Sequence, residues 1–352
     1  MTPAGPPPRI GFDTLARDFT GPGDRRRFCF YAARRELAFE RARPGQPYDL
    51  VVTTGGGDLS AWCRLPRSTR LILDLVDSYL DAPRAEPRAI VRGAAKFLFG
   101  HTRHLHLDYR ALIEATCRRA DAVICATEEQ RRTLLRYCPN VHVILDFQPE
   151  AERRAKTGYR ASEVFRLVWE GLPENVVTFR AIAAVLRDLR RRRPFELHLV
   201  TDRMRARGSN HIWMVPTERL VRDVLRMDGV HLHEWSQAAL TEVATGCDLA
   251  VIPIPLGNRM LAGKPENKLI LFWRMGLPVL TSATPAYLRT MAAAGLDMAC
   301  RTDEEWTRGL ERCMDDEAVR RDAGQRGREY ACQTYTVENL LRRWDDAFSS
   351  VG

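Results

Sequence analysis

The chain has 352 residues, of which 45% are hydrophobic and 28% charged, and it carries a formal charge of +9 at neutral pH. That length exceeds the usual size of one hydrophobic core and that composition excludes a disordered chain, so two folded domains are expected. Arginine supplies most of the charge and is scattered instead of gathered in a tail, which excludes a basic nucleic-acid-binding arm and suits phosphate-bearing ligands or an anionic membrane surface.

The opening MTPAGPPPRI lacks the apolar core of a signal peptide. No apolar run approaches the roughly 18 residues of a membrane span. A cytoplasmic protein is expected, with peripheral contact at the inner membrane face as its one route to lipid. Its nine cysteines lie far apart with no CxxC pair, so neither a zinc site nor a disulfide framework is expected. Cys125 and Cys247 adjoin apolar runs and read as small buried hydrophobes.

In the first half, strands are predicted over 9–14, 49–54, 71–77, 121–126 and 141–146, alternating with helices that include 24–41 and 108–119. Gly21, Gly23 and Asp24 form a glycine turn after the first strand, with Asp24 as helix N-cap. Gly55, Gly56 and Gly57 form a similar turn after the second, and both read equally as ordinary connections. Asp74 and Asp77 stand at or near the carboxyl end of the third strand, where a carboxylate holds an acceptor hydroxyl, acts as a base or simply caps. His101, His104 and His106 lack the partner spacing of a metal site, so no metal is expected. The neighbouring Arg88, Arg92, Lys96, Phe97, Leu98 and Phe99 read either as a core-facing helix or as a basic, apolar element at an anionic membrane. Thr127 and Gln130 fit a capping box that starts a helix.

Apolar periodicity vanishes over 147–163, which reads as a linker. The alternation then resumes, with strands predicted over 165–170, 195–202, 230–235, 248–254 and 278–282 and a final amphipathic helix over 335–348. The expected domains are 1–148, a linker at 149–163, 164–333 and a returning helix at 334–352. Both halves place an aspartate, Asp121 and Asp248, at the mouth of a buried strand. This echo suggests two doubly wound units with ligands outside the carboxyl ends of their strands.

The second half holds the strongest motif. A buried strand after Asp248 feeds a polar loop, and a helix opens near Pro265, flanked by Lys264 and Lys268. The free amides of a helix start and two lysines form an anion site, or the lysines decorate a solvated turn. Gly276 is placed to end that helix. Gly171, followed by Glu174 and Asn175, lies between a strand and a helix, where a small residue lets a diphosphate approach or merely makes a turn.

The run Lys264-Pro265-Glu266-Asn267-Lys268-Leu269-Ile270, followed by Met275-Gly276-Leu277-Pro278-Val279-Leu280, resembles the donor-site helix of GT-B glycosyltransferases of the retaining group called family 4. Cys247-Asp248 and Pro253 fit the strand ahead of it, and Leu167 to Gly171 resembles the family's first donor-domain strand and glycine turn. The resemblance implies an α/β fold of two Rossmann-like doubly wound domains facing across a cleft, an acceptor held by the first and a nucleotide-diphosphate sugar by the second. It implies Gly171, Glu174, Asn175, Lys264, Glu266, Asn267 and Lys268 on the donor side, and Trp235 at the base. Gly21, Gly23, Asp24, Gly55, Gly56 and Asp74 fall on the acceptor side, and Asp77, the better placed of the two aspartates by its strand end, is the candidate catalytic carboxylate. No cofactor is implied; the nucleotide sugar is a co-substrate.

The sequence departs from the family where its two glutamates, eight positions apart, would fall at Gly263 and Leu271. Glu266 is then the nearest carboxylate. A degenerate member acting as a binding subunit, or a nucleotide-sugar epimerase of the same architecture, are the competing readings.

Overall fold

The computed structural model describes residues 7–16, 18–81, 93–94, 97–98, 100, 102–146, 148, 152–207 and 213–352. The chain forms two compact units. The first comprises Met1–Asp146, Gly263–Pro265 and Val337–Gly352, the second Phe147–Ala262 and Glu266–Thr336.

The first unit is built on β1 (Ile10–Asp13), β2 (Phe39–Arg41), β3 (Leu50–Thr54), β4 (Arg70–Leu75), β5 (Ala122–Cys125) and β6 (Val141–Val143). They form one parallel sheet in the order β2-β1-β3-β4-β5-β6. Every residue of β1 and β5 is buried, as expected of parallel strands covered on both faces. Winding goes from β1 outward to β2 and then back to β3 on the other side, which opens a crevice at the carboxyl ends of β1 and β3.

The helix expected over 24–41 is replaced by two short helices, Pro22–Arg26 and Phe28–Arg34, and by β2. The break falls at Arg27, with φ −116° and ψ −111°, where the chain turns to carry the guanidinium into the interior. Gly21, not Asp24, occupies the N-cap. The Tyr109–Arg119 helix starts on the Asp108 carboxylate. The helix Glu128–Leu134 carries the capping box read from Thr127 and Gln130. The closing helix, Val337–Ser349, belongs to the first unit and stacks Trp344 on Tyr31 with ring centroids 5.4 Å apart.

The second unit contains β7 (Phe165–Glu170), β8 (Phe195–Val200), β9 (Met204–Arg207), β10 (Trp213–Pro216), β11 (Val230–His233), β12 (Leu249–Ile252), β13 (Val279–Ser282) and β14 (Ala299–Cys300). Six of them form a parallel sheet in the order β11-β8-β7-β12-β13-β14, and β9 pairs with β10 alone. Leaving out that hairpin, the order is that of a dinucleotide-binding sheet, whose switch point lies between β7 and β12. Sequence reading misses β9, β10 and β14. The hairpin carries the exposed Met204, Trp213 and Met214 instead of an apolar face, and β14 has two residues, too few for a period.

Asp121 and Asp248 have the same structural task. Asp121 takes the Leu71 amide on its carboxylate at 2.8 Å and returns its own amide to the Leu71 carbonyl at 2.8 Å. Asp248 does the same with Arg166, both bonds again at 2.8 Å. Each thus ties the start of its strand to a neighbour, so the echo between the halves is architectural. Burial pushes the Cys125 and Cys247 thiols up to about 12, as befits apolar core positions.

The described part of the 149–163 segment is no free linker. It lacks regular structure but is strapped to the second unit, with Glu152 2.7 Å from Arg274 and the buried Tyr159 donating to the Gly276 carbonyl at 2.9 Å. Polar and backbone contacts hold it, which is why it shows no apolar period. Gly276 ends the Asn267–Arg274 helix with φ +73°, the left-handed conformation that favours glycine. Among the described residues, no helix is long and apolar enough to cross a membrane.

Candidate functional site

At the carboxyl ends of β1, β3 and β4, the first unit encloses a cavity of about 370 Å³. Gly21, Gly23, Asp24, Gly55, Gly56 and Asp74 all line it, together with Thr14, Leu15, Arg27 and Tyr79. The glycine turn after β3 is set by close approach. A Cβ would lie 2.8 Å from the Tyr79 ring at Gly55, 2.9 Å from Leu15 Cβ at Gly56 and 2.6 Å from an Asp13 oxygen at Gly57. Asp24 accepts the Thr14 hydroxyl at 2.7 Å, and burial, helped by the Asp74 charge, raises its pKa.

Arg27 organises this cavity. Its Nε donates to Asp74 Oδ2 at 2.8 Å and its Nη1 to the Ile144 carbonyl at 2.7 Å, with Asp146 3.9 Å away. Sequence reading misses this role, because Arg27 sits in a run with Arg25 and Arg26. Its signal is that it immediately precedes the buried Phe28.

Asp77 is not brought into this cavity. It lines a smaller depression with Gln130 and Leu134, where burial raises its pKa and the Lys264 charge opposes the rise. Lys264 lies in the first unit with Gly263, whose carbonyl accepts the Ser78 hydroxyl at 2.9 Å. The structure therefore does not place Lys264 in one unit with Lys268.

In the second unit, Gly171, Trp235 and Lys268 gather around Glu170 at the carboxyl end of β7. Lys268 donates from Nζ to the Glu170 carbonyl at 2.6 Å and lies 4.7 Å from the Trp169 ring centroid. A Cβ at Gly171 would stand 2.3 Å from that nitrogen, so glycine is what lets the ammonium settle there. The Trp235 indole donates to Glu170 Oε1 at 3.2 Å, an anchor that sequence reading passes over. Ser236 caps the following helix through the Ala239 amide.

Asn175 and the exposed Glu174 fall in a 3-10 helix, Pro173–Ala181. Asp202 lies close by, its pKa raised by burial and by the carboxylates of Glu234, Glu174 and Glu170. Asn267 opens the Asn267–Arg274 helix and accepts the Lys268 amide at 3.0 Å.

Glu266 is buried against Arg289 and Thr290. It is 2% exposed, with Oε1 taking Arg289 at 2.9 Å and Thr290 at 3.2 Å while Oε2 is buried without a hydrogen-bond partner. Burial raises its pKa. It therefore does not stand in for the carboxylate that the resemblance implies at Leu271, which is itself 2% exposed in the core.

No group of three or more His, Cys, Asp and Glu side chains suited to a metal occurs among the described residues. Arg88, Arg92, Lys96, Phe99 and His101 lie outside the described residues. Phe97 and Leu98 are 40% and 80% exposed, which corrects the core-facing reading at those two positions.

No family model matches the sequence, and no curated protein matches it. Solved structures do. Sucrose-phosphate synthase from Thermosynechococcus elongatus is 16% identical with a TM-score of 0.59, over 92% of this chain and 75% of that one. TarM is 12% identical with a TM-score of 0.58 over 85% of this chain, which spans 54% of TarM. A glycosyltransferase from Rickettsia africae is 10% identical with a TM-score of 0.56, over 92% of this chain and 87% of that one. At such identities the likeness is one of fold: with two parallel six-stranded α/β units in succession, the chain has the GT-B fold of these structures.

Proposed function

We propose that the chain is a glycosyltransferase that moves a sugar from a nucleotide-diphosphate sugar to an acceptor hydroxyl. The observation that carries this reading is the gathering of Lys268, Gly171 and Trp235 at the switch point of the second unit's sheet, the position where such sheets hold nucleotides. A structure of similar fold, trehalose-6-phosphate from E. coli bound with UDP-2-fluoro glucose, supports it at 12% identity and a TM-score of 0.54.

In this reading Lys268 faces the diphosphate and Trp235 the base, while Glu174, Asn175 and Asn267 flank them. The sugar's bond to the diphosphate breaks, the acceptor oxygen bonds the anomeric carbon, and the acceptor proton passes to a carboxylate. The first unit's cavity takes the acceptor. Asp24 suits the proton better than Asp77, because it lines that cavity and Asp77 does not. The nucleotide sugar is the co-substrate, and no further cofactor is invoked.

A non-catalytic GT-B protein is the second reading, favoured by the buried Leu271 and the inward-turned Glu266. Thermal unfolding with nucleoside diphosphates separates the two. A ligand at a hundred times its dissociation constant adds about 2.7 kcal/mol, so at least one diphosphate is expected to raise the melting temperature by several degrees. No shift with any of them would leave the non-catalytic reading standing.

Peripheral membrane contact is proposed through Phe97, Leu98, Leu105 and Leu107, all exposed on the first unit of this basic chain. Wild-type protein is expected to sediment with anionic vesicles at low salt and much less with neutral ones, and Phe97→Ser with Leu98→Ser to weaken the effect severalfold. Equal sedimentation with both vesicle types would remove the idea.

A further inference from the structure

The cavity of the first unit has a chemistry of its own, which deepens the proposed function and rests on it only for the role of acceptor site. Carbon surface dominates it. Phe12, Leu15, Phe28, Val76 and Tyr79 line it, and Leu15 is 70% exposed. The polar lining consists of the hydroxyls of Thr14 and Thr54, the carboxylates of Asp24 and Asp74, and the guanidinium of Arg27.

That guanidinium is engaged. It holds Asp74 at 2.8 Å and the Ile144 carbonyl at 2.7 Å, so two carboxylates face one cation and the lining is net negative by one charge in a chain of +9. Two amides of the glycine turn after β3 are engaged as well. The Gly56 amide bonds Thr54 Oγ1 at 3.2 Å, the Gly57 amide bonds the Thr54 carbonyl at 3.0 Å, and the Asp58 amide bonds Asp13 at 2.6 Å. In a phosphate-binding turn, successive amides such as these would point at the anion. Here they bond the chain itself.

We infer that the cavity takes an uncharged amphiphile, with a hydroxyl-bearing head against Asp24, Thr14 and Thr54 and an aliphatic or aromatic part against Leu15 and Tyr79, and that it disfavours phosphate- and carboxylate-bearing acceptors. A carboxylate or phosphate in this space would meet the Asp24 carboxylate, while Arg27 and the Gly56 and Gly57 amides are already bonded within the chain. A sugar without an apolar part would leave the carbon surface unused.

The test uses the full chain and three probes in calorimetric titrations: hexyl β-glucoside, hexyl phosphate and glucose. Hexyl glucoside is expected to bind about tenfold or more tightly than either of the others. Leu15→Asp, at an exposed position, is expected to weaken hexyl glucoside about fivefold or more at an unchanged melting temperature. Asp24→Asn keeps the acceptor for Thr14 but removes the charge, and is expected to improve hexyl phosphate severalfold. Hexyl phosphate binding wild type as tightly as hexyl glucoside, no saturable binding of hexyl glucoside, or indifference of hexyl glucoside to Leu15→Asp would each overturn the proposal. Nucleoside diphosphate binding is followed in the same samples. Its absence alongside hexyl glucoside binding removes the transferase reading and keeps the cavity's chemistry; its presence alongside a preference for hexyl phosphate does the reverse.

Discussion

Lys268→Ala is expected to weaken nucleoside diphosphate binding tenfold to a hundredfold while leaving the nucleoside without phosphates as before. The lysine is held over the Trp169 ring by the Glu170 carbonyl, so its ammonium is positioned before any ligand arrives. A charge-assisted hydrogen bond from such a group contributes about 1.5 to 3 kcal/mol, whereas a solvated surface lysine contributes almost nothing. Gly171→Ala tests position separately from charge. Its Cβ would lie 2.3 Å from the ammonium nitrogen, so the lysine must move although its charge remains, and a loss of the same sign is expected. Calorimetry with circular dichroism as a folding control makes the comparison. Unchanged diphosphate affinity in both variants would falsify the assignment of Lys268 to the phosphates.

Arg27→Met is expected to destabilise the first unit by about 3 to 5 kcal/mol, because it strands the Asp74 carboxylate in the interior. Arg27 is 2% exposed and Asp74 is 1% exposed, so both charges are largely withdrawn from bulk water and depend on each other. Asp146, also buried and 3.9 Å from Arg27, loses part of its compensation too. Combining Arg27→Met with Asp74→Asn removes the stranded charge and is expected to restore a large part of the loss. Urea denaturation of the wild type, the single variant and the double variant makes the measurement. A single variant within about 1 kcal/mol of wild type would mean that the pair does not organise the cavity as its geometry indicates.

Much of the architecture was legible because it rests on local signals. Parallel strands buried on both faces read as short apolar runs, and nine of the ten predicted ones lie within two residues of an observed strand at both ends. The 141–146 strand was overextended, since β6 stops at Val143. The capping box at Thr127 and the helix stop at Gly276 depend on neighbouring residues alone. The failures came where no local period exists. The single helix over 24–41 fails because Arg27 breaks it for a charge pair with a residue 47 positions away, and the hairpin β9–β10 has no alternating apolar pattern, with Met204, Trp213 and Met214 exposed.

The six acceptor-side residues lie near the carboxyl ends of predicted strands or in the turns after them, and they converge on one cavity because parallel strands end on the same edge of a sheet. The sequence by itself determined the α/β alternation, the two units, the glycine turns and the candidate lysine, since strand pattern, turn chemistry and caps are written in adjacent residues. Only the tertiary structure decided that Lys264 joins Asp77 in the first unit, that Glu266 turns inward to Arg289 and that Glu170 anchors both Lys268 and Trp235. Those pairings join residues far apart in the chain, and which buried charge meets which partner is set by the packing of whole elements, a choice that no local pattern encodes.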